Sequence, residues 1–131
     1  MAKTDLRSAH DVLAEDLASN PEFRADWERT ALARAVALAV LRYRTEHKLS
    51  QTALGRLLGI PQPHISRLEV GEHSPSLEML QRLAKVLGLR FIVDVAPSDK
   101  ASAAPLSYPP GIEVIEDLST SDGTRVRVAA G

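Results

Sequence analysis

Residues 49–88 read LSQTALGRLLGIPQPHISRLEVGEHSPSLEMLQRLAKVLG, and three short helices are written into them. Leu54 and Leu58 stand four apart, Ile65 and Leu68 three apart, and Leu77, Leu80, Ala84 and Leu87 continue the helical period. Ser50 is placed to cap the first helix and Gly59 to end it. Pro61 and Pro63 fall at the start of the second, where backbone N–H groups lack an intrahelical partner anyway. Gly71 closes the second, Ser74-Pro75 is expected to open the third, and Gly88 stops it. Helices of about eight residues are unstable alone, so the pattern demands a compact bundle. At about 100° per residue along 62–69, Ile65 and Leu68 define a core direction. Gln62, Pro63, Ser66 and Arg67 point away from it, with His64 on one flank. A short helix with polar side chains outward near its N-terminus is shaped to lie in a DNA major groove.

Outward from this centre, Ser8 can cap a helix over 8–19, with Asp11 three residues on. Asn20-Pro21-Glu22 is a second start signal, and the helix it opens is expected to run to about His47. From Leu32 to Tyr43 that helix is apolar nearly all round, which implies cover on two sides. One side is the core; the other is the N-terminal helix folded back, or a second subunit. Beyond the bundle, residues 91–95 (FIVDV) are strand-like, and 97–111, with four of the chain's eight prolines, read as a linker. Two further strand-like pieces, 112–118 and 125–129, flank Ser121-Asp122-Gly123, a hairpin turn. A lone hairpin is marginal in water and must join another strand, such as 91–95, or stay mostly disordered. The expected fold is an all-α core of about five helices with a small C-terminal β element. Three parts follow: a helical extension (1–26), the central domain (27–90), and a strand, linker and hairpin tail (91–131).

The 131-residue chain carries a net charge of −1, but that total hides a segregation. Residues 1–41 hold five Lys/Arg against seven Asp/Glu, residues 42–90 eight against four, and residues 91–131 three against six. A basic middle between acidic flanks fits a DNA-facing core with partner-facing ends. The absence of cysteine removes disulfides, thiolate zinc sites and cysteine nucleophiles together. His10, His47, His64 and His73 have no spacing that would put two metal ligands on one helical face. There is no Gly-rich phosphate loop or Gly-x-Ser-x-Gly, and Glu116-Asp117 in a strand would point to opposite faces. No enzymatic activity, metal or cofactor is expected. With no apolar run near the ~20 residues of a membrane span and no signal peptide, a cytoplasmic location is expected.

The motifs Leu49-Ser50-Gln51, Leu54, Leu58-Gly59-Ile60, Ile65-Ser66-Arg67 with Glu69, Gly71 and Pro75-Ser76-Leu77 resemble the Xre-type helix-turn-helix family over residues 42–88. The resemblance implies a lambda-repressor-like bundle in which the helix opening Gln62-Pro63-His64 is the recognition helix. It implies base contacts by Gln62, Ser66 and Arg67, and a backbone phosphate on Gln51. Pro63 departs from the family's usual polar residue and offers only apolar contact, while His64 is expected at a phosphate. Arg42, Lys48 and Arg56 are candidate phosphate neighbours. The family also pairs an arginine before the first turn with a glutamate ending the recognition helix, here Arg44 and Glu69.

The layout as a whole is similar to HigA-type antitoxins. The shared features are Asn20-Pro21-Glu22-Phe23, a long helix into Leu-Ser-Gln, the helix-turn-helix, and the strand within 87–95 (LGLRFIVDV). That resemblance implies a homodimer on a palindromic operator of double-stranded DNA. It further implies autoregulation and neutralisation of a small basic toxin that acts as an mRNA interferase. The alternative is a free-standing Xre-type regulator without a toxin. Residues 89–131 are too few and too proline-broken for an ordinary sensory pocket, which favours the antitoxin. Strand 91–95 pairing with its own copy, or the apolar back of helix 32–43, would supply the dimer contact.

Overall fold

The computed structural model describes residues 8–101 and 107–131. Six helices lead, in order: α1 (Ala9–Ser19), α2 (Pro21–Arg29), α3 (Ala31–Glu46), α4 (Gln51–Leu58), α5 (Gln62–Val70) and α6 (Leu77–Leu87). Strand β1 (Phe91–Pro97), a short helix α7 (Ser98–Ala101), β2 (Glu113–Ser119) and β3 (Thr124–Ala130) follow. The fold is thus a mainly helical core with a small three-stranded antiparallel sheet, ordered β1-β3-β2. Among the described residues, no helix is long and apolar enough to cross a membrane.

Caps follow the sequence closely. Ser8 Oγ accepts the Asp11 N–H at 3.1 Å, Asn20 Oδ1 the Phe23 N–H at 3.1 Å, and Ser50 Oγ the Ala53 N–H at 3.0 Å. The third helix of the central stretch starts later than expected. Its cap is Ser76, whose Oγ takes the Met79 N–H at 3.1 Å, so Ser74-Pro75 lie in the connection instead of opening the helix.

The single helix expected from Pro21 to His47 is broken at Thr30. The Thr30 hydroxyl donates to the Asp26 carbonyl at 2.8 Å, and Arg34 Nη1 donates to the Trp27 carbonyl at 2.6 Å. The Asp26 carbonyl still accepts the Thr30 N–H at 3.1 Å, while the Trp27 carbonyl is taken by the Arg34 side chain where α2 ends.

Val36 and Val40 of α3, Leu54 and Leu58 of α4, Ile65 of α5, and Leu83 and Leu87 of α6, with Ile60, form one buried core. The sheet meets the second apolar side of α3. Strands β2 and β3 lie against α3, whose Ala31, Ala35 and Ala39 are buried in addition to the core residues Val36 and Val40. Small residues let a helix approach a sheet closely. Arg34 fastens the two layers: its Nε donates to Glu116 Oε1 at 2.9 Å, and its guanidinium stacks 3.5 Å over the Trp27 ring.

The hairpin does join the strand at 91–97, with Phe91 opposite Ala130 and Val95 opposite Val126. The β2–β3 register slips between Val114 and Glu116, a bulge. Glu116 then faces Arg34, while Asp117 turns to Arg125 at 2.8 Å, so the two adjacent acids serve opposite sides. The region expected as a plain linker contains α7; residues 102–106 lie outside the described residues.

Candidate nucleic-acid interface

Helices α4 and α5 are joined by a tight corner. Gly59 takes a left-handed φ of +68° to end α4, and the Ile60 N–H returns to the Gly55 carbonyl at 2.8 Å. Gly55 has no room for a side chain, because a Cβ there would collide with the Ile60 carbonyl oxygen. Pro61 then leads into α5. Ile65 is fully buried and Leu68 half-buried, which fixes the helix from behind. Gln62, Pro63, His64 and Arg67 are exposed, and Ser66 is half-buried at their edge. The outward face inferred from helical spacing is the face left open to solvent.

A hydrogen-bonded chain ties this face to the bundle. Glu69, at the end of α5, accepts Arg44 Nε on Oε2 at 2.7 Å and Arg44 Nη2 on Oε1 at 2.9 Å. Arg44 Nη1 also donates to the Leu49 carbonyl at 3.2 Å, so one guanidinium holds the ends of both α3 and α5. The Glu69 hydrogen bond raises the Arg44 pKa above its ordinary value, with burial opposing and the charge of Glu69 adding. Gln51 Nε2 donates to Glu69 Oε1 at 3.0 Å, and Gln51 Oε1 accepts from Gln62 Nε2 at 2.7 Å. The first residues of α4 and α5 are therefore locked side by side. The carboxylate in this cluster is matched by Arg44, so it does not oppose a polyanion at full strength.

The carboxamide hydrogens can be counted. Gln62 spends one Nε2–H on Gln51 and keeps the other, together with its Oε1. Gln51 likewise keeps one Nε2–H beyond its bond to Glu69. Both retain the groups that contacts with a base edge or a phosphate need.

Of the three cationic neighbours, Arg42 is turned elsewhere. Its Nη1 donates to Glu113 Oε2 at 3.2 Å, on the sheet side of α3, which corrects its expected place beside the phosphates. Lys48 is exposed in the turn between α3 and α4, in a left-handed conformation (φ +54°). Arg56 is exposed on α4. Sequence reasoning passed over the loop after α5. His73, Ser74 and Ser76 line a shallow depression with His64 and Arg67, floored by Leu68, Pro75 and Met79. The loop's run of His and Ser is the only local signal, and nothing in it specifies which helix it borders.

A helix-turn-helix family model matches residues 40–92. Antitoxin HigA1 of Mycobacterium tuberculosis strain H37Rv is 33% identical over 85 residues, which is 63% of this chain and 57% of that protein. The chain therefore spans a little over half the length of this relative. An uncharacterized HTH-type transcriptional regulator of Methanothermobacter thermautotrophicus is 36% identical over 61 residues, 47% of this chain and 88% of the relative. A second such regulator, from Methanocaldococcus jannaschii, is 35% identical over 49 residues, 37% of this chain and 74% of the relative. No solved structure gives a match.

Proposed function

The chain belongs to the Xre-type helix-turn-helix family, and on that premise we propose that it is a sequence-specific, double-stranded-DNA-binding transcriptional repressor. The observation that carries the reading is the locked pair of helix starts: Gln51 and Gln62 joined at 2.7 Å, beside an exposed α5 face anchored by buried Ile65. In this reading α5 enters the major groove. Arg67 takes guanine O6 and N7, and Gln62 uses its free Oε1 and remaining Nε2–H on adenine N6 and N7. Ser66 supports these contacts, Pro63 offers an apolar surface to a thymine methyl, and His64 meets a phosphate. Gln51 holds a second phosphate at the N-terminus of α4, where backbone N–H groups add donors. The protein acts as a homodimer, because two modules about 34 Å apart on one DNA face multiply a small interface and match a palindromic operator.

The repressor is, in this proposal, the antitoxin of a HigBA-like pair, autoregulating its operon and neutralising a small basic toxin. The relative named Antitoxin HigA1 and the acidic flanking segments support this role. A free-standing regulator is the second reading, favoured by the relatives named only as transcriptional regulators.

Binding assays on operator and random DNA test the central claim. Arg67→Ala should lower operator affinity by roughly 5- to 150-fold, the equivalent of about 1–3 kcal/mol per bidentate base contact, and affect random DNA far less. Gln51→Ala should weaken both. Unchanged sequence preference in Arg67→Ala refutes the assignment of α5. Co-purification with the product of an adjacent gene encoding a small basic protein separates the antitoxin from the free regulator.

A further inference from the structure

The two edges of the sheet are built differently. The β2 edge is broken by the bulge at Val114/Glu116 and carries Glu113, Glu116 and Asp117, devices that discourage strand pairing. The β1 edge has neither a bulge nor a lysine, and its proline, Pro97, stands at the far end. Among the described residues no strand lies beyond β1.

The direction of its free groups follows from the register. Arg90 and Gly131 exchange both N–H···O bonds, at 2.9 and 3.1 Å, and Ser98 donates to the Gly123 carbonyl at 2.9 Å. Even-numbered residues therefore turn their backbone groups toward β3, and Phe91, Val93 and Val95 turn theirs to the open edge. The same three side chains lie on one face. Val93 and Val95 are 45% and 62% exposed there, and Phe91 and Val93 line an apolar groove with Leu77, Leu80 and Ala84 of α6. Leu77 itself is 72% exposed.

We propose that this edge takes the β1 strand of a second copy of the chain, antiparallel, about a two-fold axis passing beside Val93. This rests on the dimeric repressor reading and assigns its interface. Charge and chemistry exclude two of the neighbouring registers. An axis at Asp94 would set two like carboxylates directly opposite each other, which is destabilising. An axis at Val95 would set Val93 against Pro97, which has no N–H to give. An axis at Val93 places Val93 against its own copy and Phe91 against Val95 in an arrangement with about six main-chain hydrogen bonds. It sets Asp94 opposite Ile92 of the copy, with the exposed Arg90 on the adjacent diagonal, within reach of a long side chain. The two sheets merge into one, and the two recognition helices are held by a continuous β-structure.

The chain has no cysteine, so engineered thiols report on this register without background. In a hydrogen-bonded antiparallel pair the Cα atoms lie about 5.5 Å apart, inside the range a disulfide spans. Under mild oxidation the full-length Val93→Cys protein should become a covalent dimer. Val95→Cys should not, since in this register it faces Phe91 of the copy and not itself. Val93→Lys sets two ammonium groups opposite each other, and it should sediment as one chain at micromolar concentration, where the natural protein sediments as two. Circular dichroism verifies that this variant is folded; if it is not, the cysteine pair decides alone. A natural dimer in which Val93→Cys fails to cross-link, or Val95→Cys links as readily, overturns this interface and leaves the dimeric repressor standing. A natural monomer that binds a single half-site tightly overturns both.

Discussion

Glu69 is where the stability of the bundle and the placement of the contact side chains meet, and Glu69→Ala probes both. Its side chain is only 7% exposed and accepts three hydrogen bonds, two from Arg44 and one from Gln51. Removing it leaves a guanidinium without its counter-charge and a carboxamide without its acceptor. Breaking a well-enclosed ion pair from one side costs about 3–5 kcal/mol. Arg44 keeps 23% of its side-chain surface in water, and that hydration recovers part of the loss. The expected cost is therefore about 2–3 kcal/mol, a fall in Tm of roughly 8–12 °C for a domain of this size. Urea denaturation followed by circular dichroism measures it. The partner variant Arg44→Ala completes a double-mutant cycle with an expected coupling of about 1–2 kcal/mol. Glu69→Gln keeps an acceptor for Gln51 while losing the charge, and should fall between the natural protein and the alanine variant. Below the Tm of each variant, operator affinity should fall with Glu69→Ala, because Gln51 and through it Gln62 lose their fixed positions. A stability loss under about 0.5 kcal/mol, or two single effects that simply add, would refute the view that this pair pins α5 to α3.

Gly55→Ala should destabilise by about 1–3 kcal/mol despite alanine's better helix propensity, because the Ile60 carbonyl blocks its Cβ; a raised Tm would contradict the packing at the corner. Arg34→Met should free the N-terminal arm. It removes the Glu116 pair at 2.9 Å and the stacking on Trp27, and it should appear as stronger acrylamide quenching of the chain's single tryptophan, with quenching unchanged if the arm is held by other contacts. The hydrogen bond from Arg125 holds the Asp117 carboxyl below its ordinary pKa, with the charges of Arg125 and Arg127 adding and burial opposing. A depressed folded-state pKa means that its stabilisation is present above the unfolded value of about 3.9 and is lost as the pH falls through the folded one. Asp117→Asn should therefore be less stable than the natural protein at pH 6, and the gap should narrow as the pH drops below about 4. A gap independent of pH would show that the charge of Asp117 contributes nothing.

Local chemistry written in the chain is enough to place most of the helices. Ser8, Asn20 and Ser50 act on N–H groups three residues away, and Gly59, Gly71 and Gly88 adopt left-handed conformations that a neighbouring residue could not take as cheaply. The open face of α5 was legible for the same reason, since the 3.6-residue period fixes which side chains oppose Ile65 and Leu68. What the chain does not state locally is who meets whom. Thr30 looks like an ordinary helical residue until Arg34, four positions on, takes the Trp27 carbonyl on its way to Glu116, 82 residues further along. Arg42 reads as a DNA-side cation until β2 places Glu113 beside it. The alanine-rich back of α3 announces that something covers it without naming a sheet as the cover. Period, capping and turn geometry act within one or two helical turns and survive translation into a string of letters. Pairing across 71 or 82 residues depends on how whole layers stack, and that is decided only when the layers close on each other.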